Sequence, residues 1–161
     1  MKTRSMALVV LVGFMLGLTA PAAFATRAVT GWKTVFGHST SCTLLRASIN
    51  SENLKAGAQI HNYVGCNAAN ASRTVPPGYL GAKASYFRTS TMQVCGFAKP
   101  WAYNSTTTDE LIVTSNVLYV SSSCPAHAAY QGIGAGKRWS EGAEAYRPDP
   151  YVTITTAAVN F

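Results

Sequence analysis

Four cysteines, Cys42, Cys66, Cys95 and Cys124, constrain this chain more than any other feature of it. An even cysteine count in an exported chain of this size implies a framework of two disulfides. Cys42–Cys66 with Cys95–Cys124 is the favoured pairing, because each bridge closes a modest loop and each half of the chain is then stapled separately. The crossed pairings stay open. Zinc is the competing use of four cysteines, but no two of them stand at the C-x₂₋₄-C spacing of a zinc knuckle.

The export signal is read from residues 1–25. Lys2 and Arg4 give a positive start, Met6 to Leu18 is an apolar run, and Ala23-Phe24-Ala25 sets small residues where a signal peptidase cuts. The run is too short to span a bilayer as a helix. Cleavage leaves one secreted domain over residues 26–161, with no transmembrane segment and no lipid-anchored cysteine at the cut. Without Lys2 and Arg4, the 13 basic residues fall to 11 against 6 acidic ones, a formal charge of +5. The basic residues are scattered and Lys137-Arg138 is the only adjacent pair of the mature chain. A nucleic-acid partner is therefore not expected, since such proteins gather their cations into a stripe. Mild attraction to anionic envelopes is.

Composition and alternation favour strands. Leu45, Ala47 and Ile49 fall on one side of Cys42–Asn50. Ala58, Ile60, Val64 and Cys66 fall opposite Gln59, His61 and Tyr63. LIVTSNVLYV at 111–120 and YVTITTAAVNF at 151–161 read as further strands. Turn clusters are read at 67–72, 75–78, 103–108, 121–125, 132–136 and 147–150, and a helical turn within 51–59. Short strands at this spacing predict an all-β, disulfide-stapled antiparallel β-sandwich.

Within that pattern, VPPGYLGAKASYFR at 75–88, AYNS at 102–105, a glycine-rich turn and EAYRPDPYVTITTAAVNF at 144–161 form an ordered set. The set resembles small secreted proteins of Gram-positive bacteria, of the actinomycete type, that carry a V-P-x-G-Y-[LM]-G motif. The resemblance covers the second half of the mature chain. It implies secretion and a β fold, and it carries over no catalytic or binding residue. In 75–88 itself, Pro76, Pro77 and Gly78 make the corner. Leu80, Ala82, Ala84 and Tyr86 then share one side of a strand.

No catalytic constellation is legible. Glu141 and Glu144 are the nearest to a glycosidase pair, but residues three apart on a strand face opposite ways. His38, His61 and His127 can each be matched with some serine, without a G-x-S-x-G elbow to choose one. No H-x-H or H-E-x-x-H spacing marks a metal. GIGAGK at 132–137 lacks the spacing of a phosphate loop and reads as a flexible hairpin loop. Asn70-Ala71-Ser72 and Asn104-Ser105-Thr106 match the glycosylation pattern and read as exposed turns. No cofactor and no enzymatic activity are expected.

Aromatic residues carry the functional expectation. Tyrosine and tryptophan offer large rigid surfaces with a polar tip. Trp32 reads as core. Trp101, Tyr103, Lys137, Arg138 and Trp139 are the candidate binding residues, with Trp101 and Tyr103 sharing a strand face. The expected function is a secreted, non-enzymatic binding or interaction protein of the extracellular space or cell envelope, its partner a wall glycan or an extracellular protein. The alternative is a secreted antagonist, a protease inhibitor or antibacterial polypeptide, presenting Ala98–Trp101 or Gly136–Arg138 as a rigid loop. A small glycan hydrolase using Glu141 or Glu144 ranks below both.

Overall fold

The structure is a computed structural model that describes residues 26–38, 40–95 and 99–161. The signal segment lies outside these residues. The chain folds into two antiparallel sheets packed face to face. The first holds β1 (Arg27–Val29), β2 (Lys33–His38), β3 (Ser41–Asn50), β4 (Lys55–Tyr63) and β8 (Glu110–Thr114). Its strand order is β1-β3-β4-β8, with β2 also paired to β3. The second holds β5 (Leu80–Arg88), β6 (Gln93–Cys95), β7 (Ala102–Tyr103), β9 (Ala129–Ser140), β10 (Ala145–Thr155) and β11 (Val159–Asn160). Its order is β10-β9-β5-β6, with β7 along β5 and β11 along β9.

Alternation decides what meets between the sheets. Leu45, Ala47 and Ile49 of β3 and Ala58 and Ile60 of β4 are buried from one side. Leu80, Ala82, Ala84 and Tyr86 of β5 are buried from the other. Inward residues of β3, β4 and β5 are thus those the period-two pattern selects. β4 ends at Tyr63, so Val64 lies exposed beyond it. Cys42 is bonded to Cys66 and Cys95 to Cys124. The bridges span sequence separations of 24 and 29 residues, and each contributes about 2–4 kcal/mol, chiefly by restricting the unfolded chain.

Several expectations are corrected. GIGAGK is not a loop. It is the middle of β9, paired residue by residue with β5 from Leu80↔Arg138 to Arg88↔Tyr130. Gly132, Gly134 and Gly136 all face the first sheet, where Ala47, Ala58, Leu45 and Ile60 approach too closely for larger side chains. Small residues here let the sheets come together, so glycine marks close approach instead of a turn. Arg147–Pro150 is not a turn between strands but an irregularity inside β10, where the register against β9 jumps from Arg147 to Val152. The run 111–120 is a strand only to Thr114. Ser115 ends it, its Oγ accepting from Ala56 N–H at 2.9 Å and so replacing the ladder with a side-chain bond. The C-terminal run breaks at Thr156, whose Oγ1 accepts from Gly132 N–H. The helical turn of 51–59 is confined to Ser51–Leu54, before β4 begins.

The Val75–Tyr79 corner is held from three sides. Gly78 has φ +81°, the value the third position of such a turn requires. Tyr79 N–H donates to Pro76 C=O at 3.3 Å, and Gly78 N–H to Asn104 C=O at 2.7 Å. The Asn104 side chain accepts from Leu80 N–H and donates to Pro76 and Thr106 carbonyls, each at 2.8 Å. Asn104 is buried, which corrects the reading of its sequon as an exposed turn; Asn70 is exposed.

Candidate functional site

Strand geometry sorts the five candidate residues into two groups. Side chains alternate across a sheet, so on β9 Lys137 and Trp139 point away from the first sheet while Arg138 points toward it. The adjacent basic pair is therefore not a patch.

On the outer face, the Lys137 ammonium lies 4.4 Å from the Trp101 ring centre, 4.5 Å from Tyr146 and 5.2 Å from Tyr103. Its stem crosses Gly81 of β5. A β-carbon at Gly81 would stand 3.0 Å from the Tyr103 ring and 3.1 Å from Lys137 Cγ. Gly81 is thus the floor that lets the lysine lie flat under tyrosine. The cluster extends through Trp139 against Tyr146 at 5.2 Å and Trp101 against Tyr151 at 4.9 Å, both edge to face. Tyr146 Oη donates to Gly78 C=O at 2.6 Å, tying the cluster to the Pro-Pro-Gly corner. Burial raises the Tyr146 phenol above its ordinary pKa. Neither ion pair among the described residues involves Lys137; both belong to His61. The ammonium is instead solvated by π faces, each contact worth about 0.5–1 kcal/mol at an exposed site.

Beside this cluster runs an open groove of about 290 Å³ lined by Lys137, Ala145, Tyr146, Pro148, Asp149 and Tyr151. Tyr146, Asp149 and Tyr151 were not among the candidates. Their signal lies in EAYRPDPY, but Pro148 and Pro150 make 147–150 read as a turn that parts Tyr146 from the strand beginning at Tyr151. The β9–β10 register sets Tyr146 opposite Trp139.

Arg138 lies at the end of the inner face. Its Nη1 donates to Ser41 Oγ at 2.5 Å and to Asn62 Oδ1 at 3.0 Å, and its guanidinium lies 5.1 Å from the Phe36 ring centre. Burial, and then the charge of Arg73, lower its pKa from the ordinary arginine value.

The remaining candidates fall elsewhere. Glu141 and Glu144 flank a short 3₁₀ turn at the β9–β10 connection, and both are exposed. The Glu141 carboxylate accepts from Tyr79 Oη. Of the two loops expected of an inhibitor, Gly136–Arg138 is mid-strand. Ala98 lies outside the described residues, and Lys99 Nζ donates to Thr114 C=O at 3.1 Å. Trp32 is half-buried, with Arg46 over its ring at 4.7 Å.

His61 does meet a serine and two acids. Its Nε2 lies 2.8 Å from Ser72 Oγ and 3.2 Å from Asp109 Oδ2, while Nδ1 is 3.7 Å from Glu110. A nucleophilic triad needs serine and acid on opposite ring nitrogens, each within hydrogen-bond reach. Here the near acid shares the serine's nitrogen, and 3.7 Å is too long for a hydrogen bond. The hydrogen bond from Ser72, then that from Asp109's own backbone amide, then His61, hold the Asp109 carboxyl below the usual carboxylate range. The ring also stacks on Tyr63 at 4.3 Å. This cluster fastens the 70s loop to the β4–β8 edge.

Among the described residues no group of three His, Cys, Asp or Glu side chains is gathered for a metal, and no helix is long and apolar enough to cross a membrane. Compared with protein families, curated proteins and solved structures, the chain finds no match.

Proposed function

We propose that this is a secreted binding protein that holds a glycan on the outer face of its second sheet. The observation that carries the reading is the enclosure of the Lys137 ammonium by Trp101, Tyr103 and Tyr146 beside a groove floored by Tyr146 and Tyr151. Ring faces are electron-rich. They attract the weakly positive C–H faces of a pyranose as they attract the ammonium. Lys137 supplies a donor and Asp149 an acceptor for hydroxyl groups at the rim. Tyr103, Tyr146 and Trp139 stand on paired strands, so little ordering of these rings is required when a ligand binds. A modest positive charge suits an anionic envelope, where the ligand would be encountered.

Purified mature protein is passed over isolated Gram-positive cell walls and a panel of insoluble polysaccharides. Retention on at least one matrix is expected, with Trp101→Ala and Tyr151→Ala each weakening it about tenfold, the loss of one stacking contact of roughly 1.4 kcal/mol. Recovery in every flow-through, or equal retention of both variants with unchanged thermal stability, removes the reading.

A further inference from the structure

We infer that the cavity at the Arg138 end of the sandwich is a binding site for a small organic carboxylate. This cavity, of about 300 Å³, opens between the β2–β3 hairpin, the 73–76 segment and the end of β9. It lies on the inner side of the strand whose outer side bears the aromatic cluster, and it does not depend on the glycan reading.

Four observations support the assignment. First, a cation occupies the inner face of β9, whose other positions are Tyr130, Gly132, Gly134, Gly136 and Ser140. Arg138 is half-buried, and a guanidinium partly stripped of water is costly unless paired, yet neither ion pair among the described residues includes it. Its protein partners, Ser41, Thr43 and Asn62, are neutral. Second, its Nε is buried with no hydrogen-bond partner among the described residues. Third, the guanidinium is held in place. Asn62 is fully buried and its Oδ1 accepts from Ser41 Oγ at 3.0 Å and Thr43 Oγ1 at 2.9 Å as well as from Arg138. Its Nδ2 donates to Arg73 C=O at 2.7 Å, which fixes the second arginine's backbone. Fourth, the wall chemistry is mixed. Phe36, Val75 and Pro76 offer apolar surface around the charged end, and Trp139 borders it from the end of β9.

The charge balance selects the ligand class. Arg73 and Arg138 against Glu141 leave one formal positive charge around the cavity. That matches a singly charged carboxylate and disfavours a dianionic phosphate, which Glu141 would repel. Arginine is the side chain suited to a planar oxyanion. Apolar walls with a few convergent polar groups are the usual make-up of a small-molecule site.

The test titrates the mature, disulfide-bonded protein with sodium benzoate, with sodium acetate, inorganic phosphate and sodium chloride at matched ionic strength as comparisons. Tryptophan fluorescence reports through Trp139, and the thermal midpoint reports linkage. Benzoate is expected to saturate and to raise the midpoint, while chloride does neither. Arg138→Gln should abolish saturation. Because that variant disturbs the Asn62 network, exposed Arg73→Gln and Glu141→Gln are measured beside it. The first should weaken benzoate about fivefold and the second strengthen it by a similar factor, as expected for one charge acting across a partly solvated gap. Trp101→Ala should leave benzoate affinity unchanged. Absence of saturation, equal response to chloride, phosphate binding tighter than benzoate, or unchanged affinity in both charge variants would each overturn the assignment.

Discussion

Replacing Gly132 by alanine should destabilise the protein, although glycine to alanine in a strand ordinarily stabilises. The usual gain is about 0.5–1 kcal/mol, from the conformational freedom glycine loses on folding. At position 132 a β-carbon would stand 2.7 Å from Ser48 O and 3.1 Å from Ile49 Cβ, both on β3 of the opposite sheet. An ordinary carbon–oxygen contact is about 3.3–3.6 Å. The two sheets must therefore part locally by roughly half an ångström or more, and the obstacle is backbone that cannot rotate aside. Overpacking of this kind costs about 1–3 kcal/mol, leaving a net loss of about 1–2 kcal/mol. Gly134→Ala meets only the methyl groups and α-carbon of Ala47 and Ala58, the nearest at 3.1 Å, and should lose less. Gly142→Ala, with nothing within 4 Å of its β-carbon, is the control and should stay within about 0.5 kcal/mol of the parent. The assay is equilibrium urea unfolding with disulfides intact, followed by tryptophan fluorescence. With a slope of about 1–3 kcal/mol per molar, the Gly132→Ala midpoint should fall by about 0.5–1 M. A midpoint equal to or above the parent's would show that the sheets are not held at the spacing described, and the account of β9 as a close-approach strand would fail.

Asn104→Ala removes the three hydrogen bonds that clamp the Pro-Pro-Gly corner and orphans the Leu80 amide. With each buried group left unpaired costing about 1–3 kcal/mol, a loss of about 2–4 kcal/mol in the same urea assay is expected, and a loss under 1 kcal/mol would contradict the clamp. Asp109 has its carboxyl pKa lowered by Ser72 and His61. A lowered folded pKa gives stability that is present above the ordinary aspartate range and lost as pH falls through the folded value. Asp109→Asn should therefore lower stability by a constant amount between pH 7 and 9 and flatten the profile below about pH 4; an unchanged acid limb in thermal melts would refute the coupling.

The strands that the sequence makes plain are those in which both faces carry side chains. β3, β4 and β5 alternate apolar with polar residues and fold with that polarity intact. β9 escapes the pattern because its inner face is built from glycine. Ile133 and Ala135, which look like isolated apolar residues in a loop, are the outward half of a stretch whose inward positions, Gly132, Gly134 and Gly136, have no side chains to count. β10 escapes for a different reason. Prolines 148 and 150 remove ladder donors, and the pairing with β9 resumes only at Val152 after a register jump. Two consequences follow for the site. Tyr146 and Tyr151 are separated in sequence by the apparent turn at 147–150, and the adjacent Lys137 and Arg138 are set by a strand on opposite faces. Trp101 and Tyr103, at i and i+2, do converge on Lys137. What local sequence does not contain is the partner across the sheet, which comes from tens of residues away.

The chain alternates between layers, running β1 to β4 in one sheet, β5 to β7 in the other, then β8 back to the first and β9 to β11 in the second. For a polypeptide emerging N-terminus first, this order sets a schedule. The β3–β4 hairpin and the Cys42–Cys66 bridge need only the first half. β5 has no long partner until β9 arrives, and until then its apolar inner face has half a wall against it. Pairings between distant segments form slowly because the loop between them must close first. A nascent chain therefore stays short of its native core until its last third is out. If the chain is exported as proposed, that delay would let it cross a membrane unfolded and oxidise its cysteines on the far side.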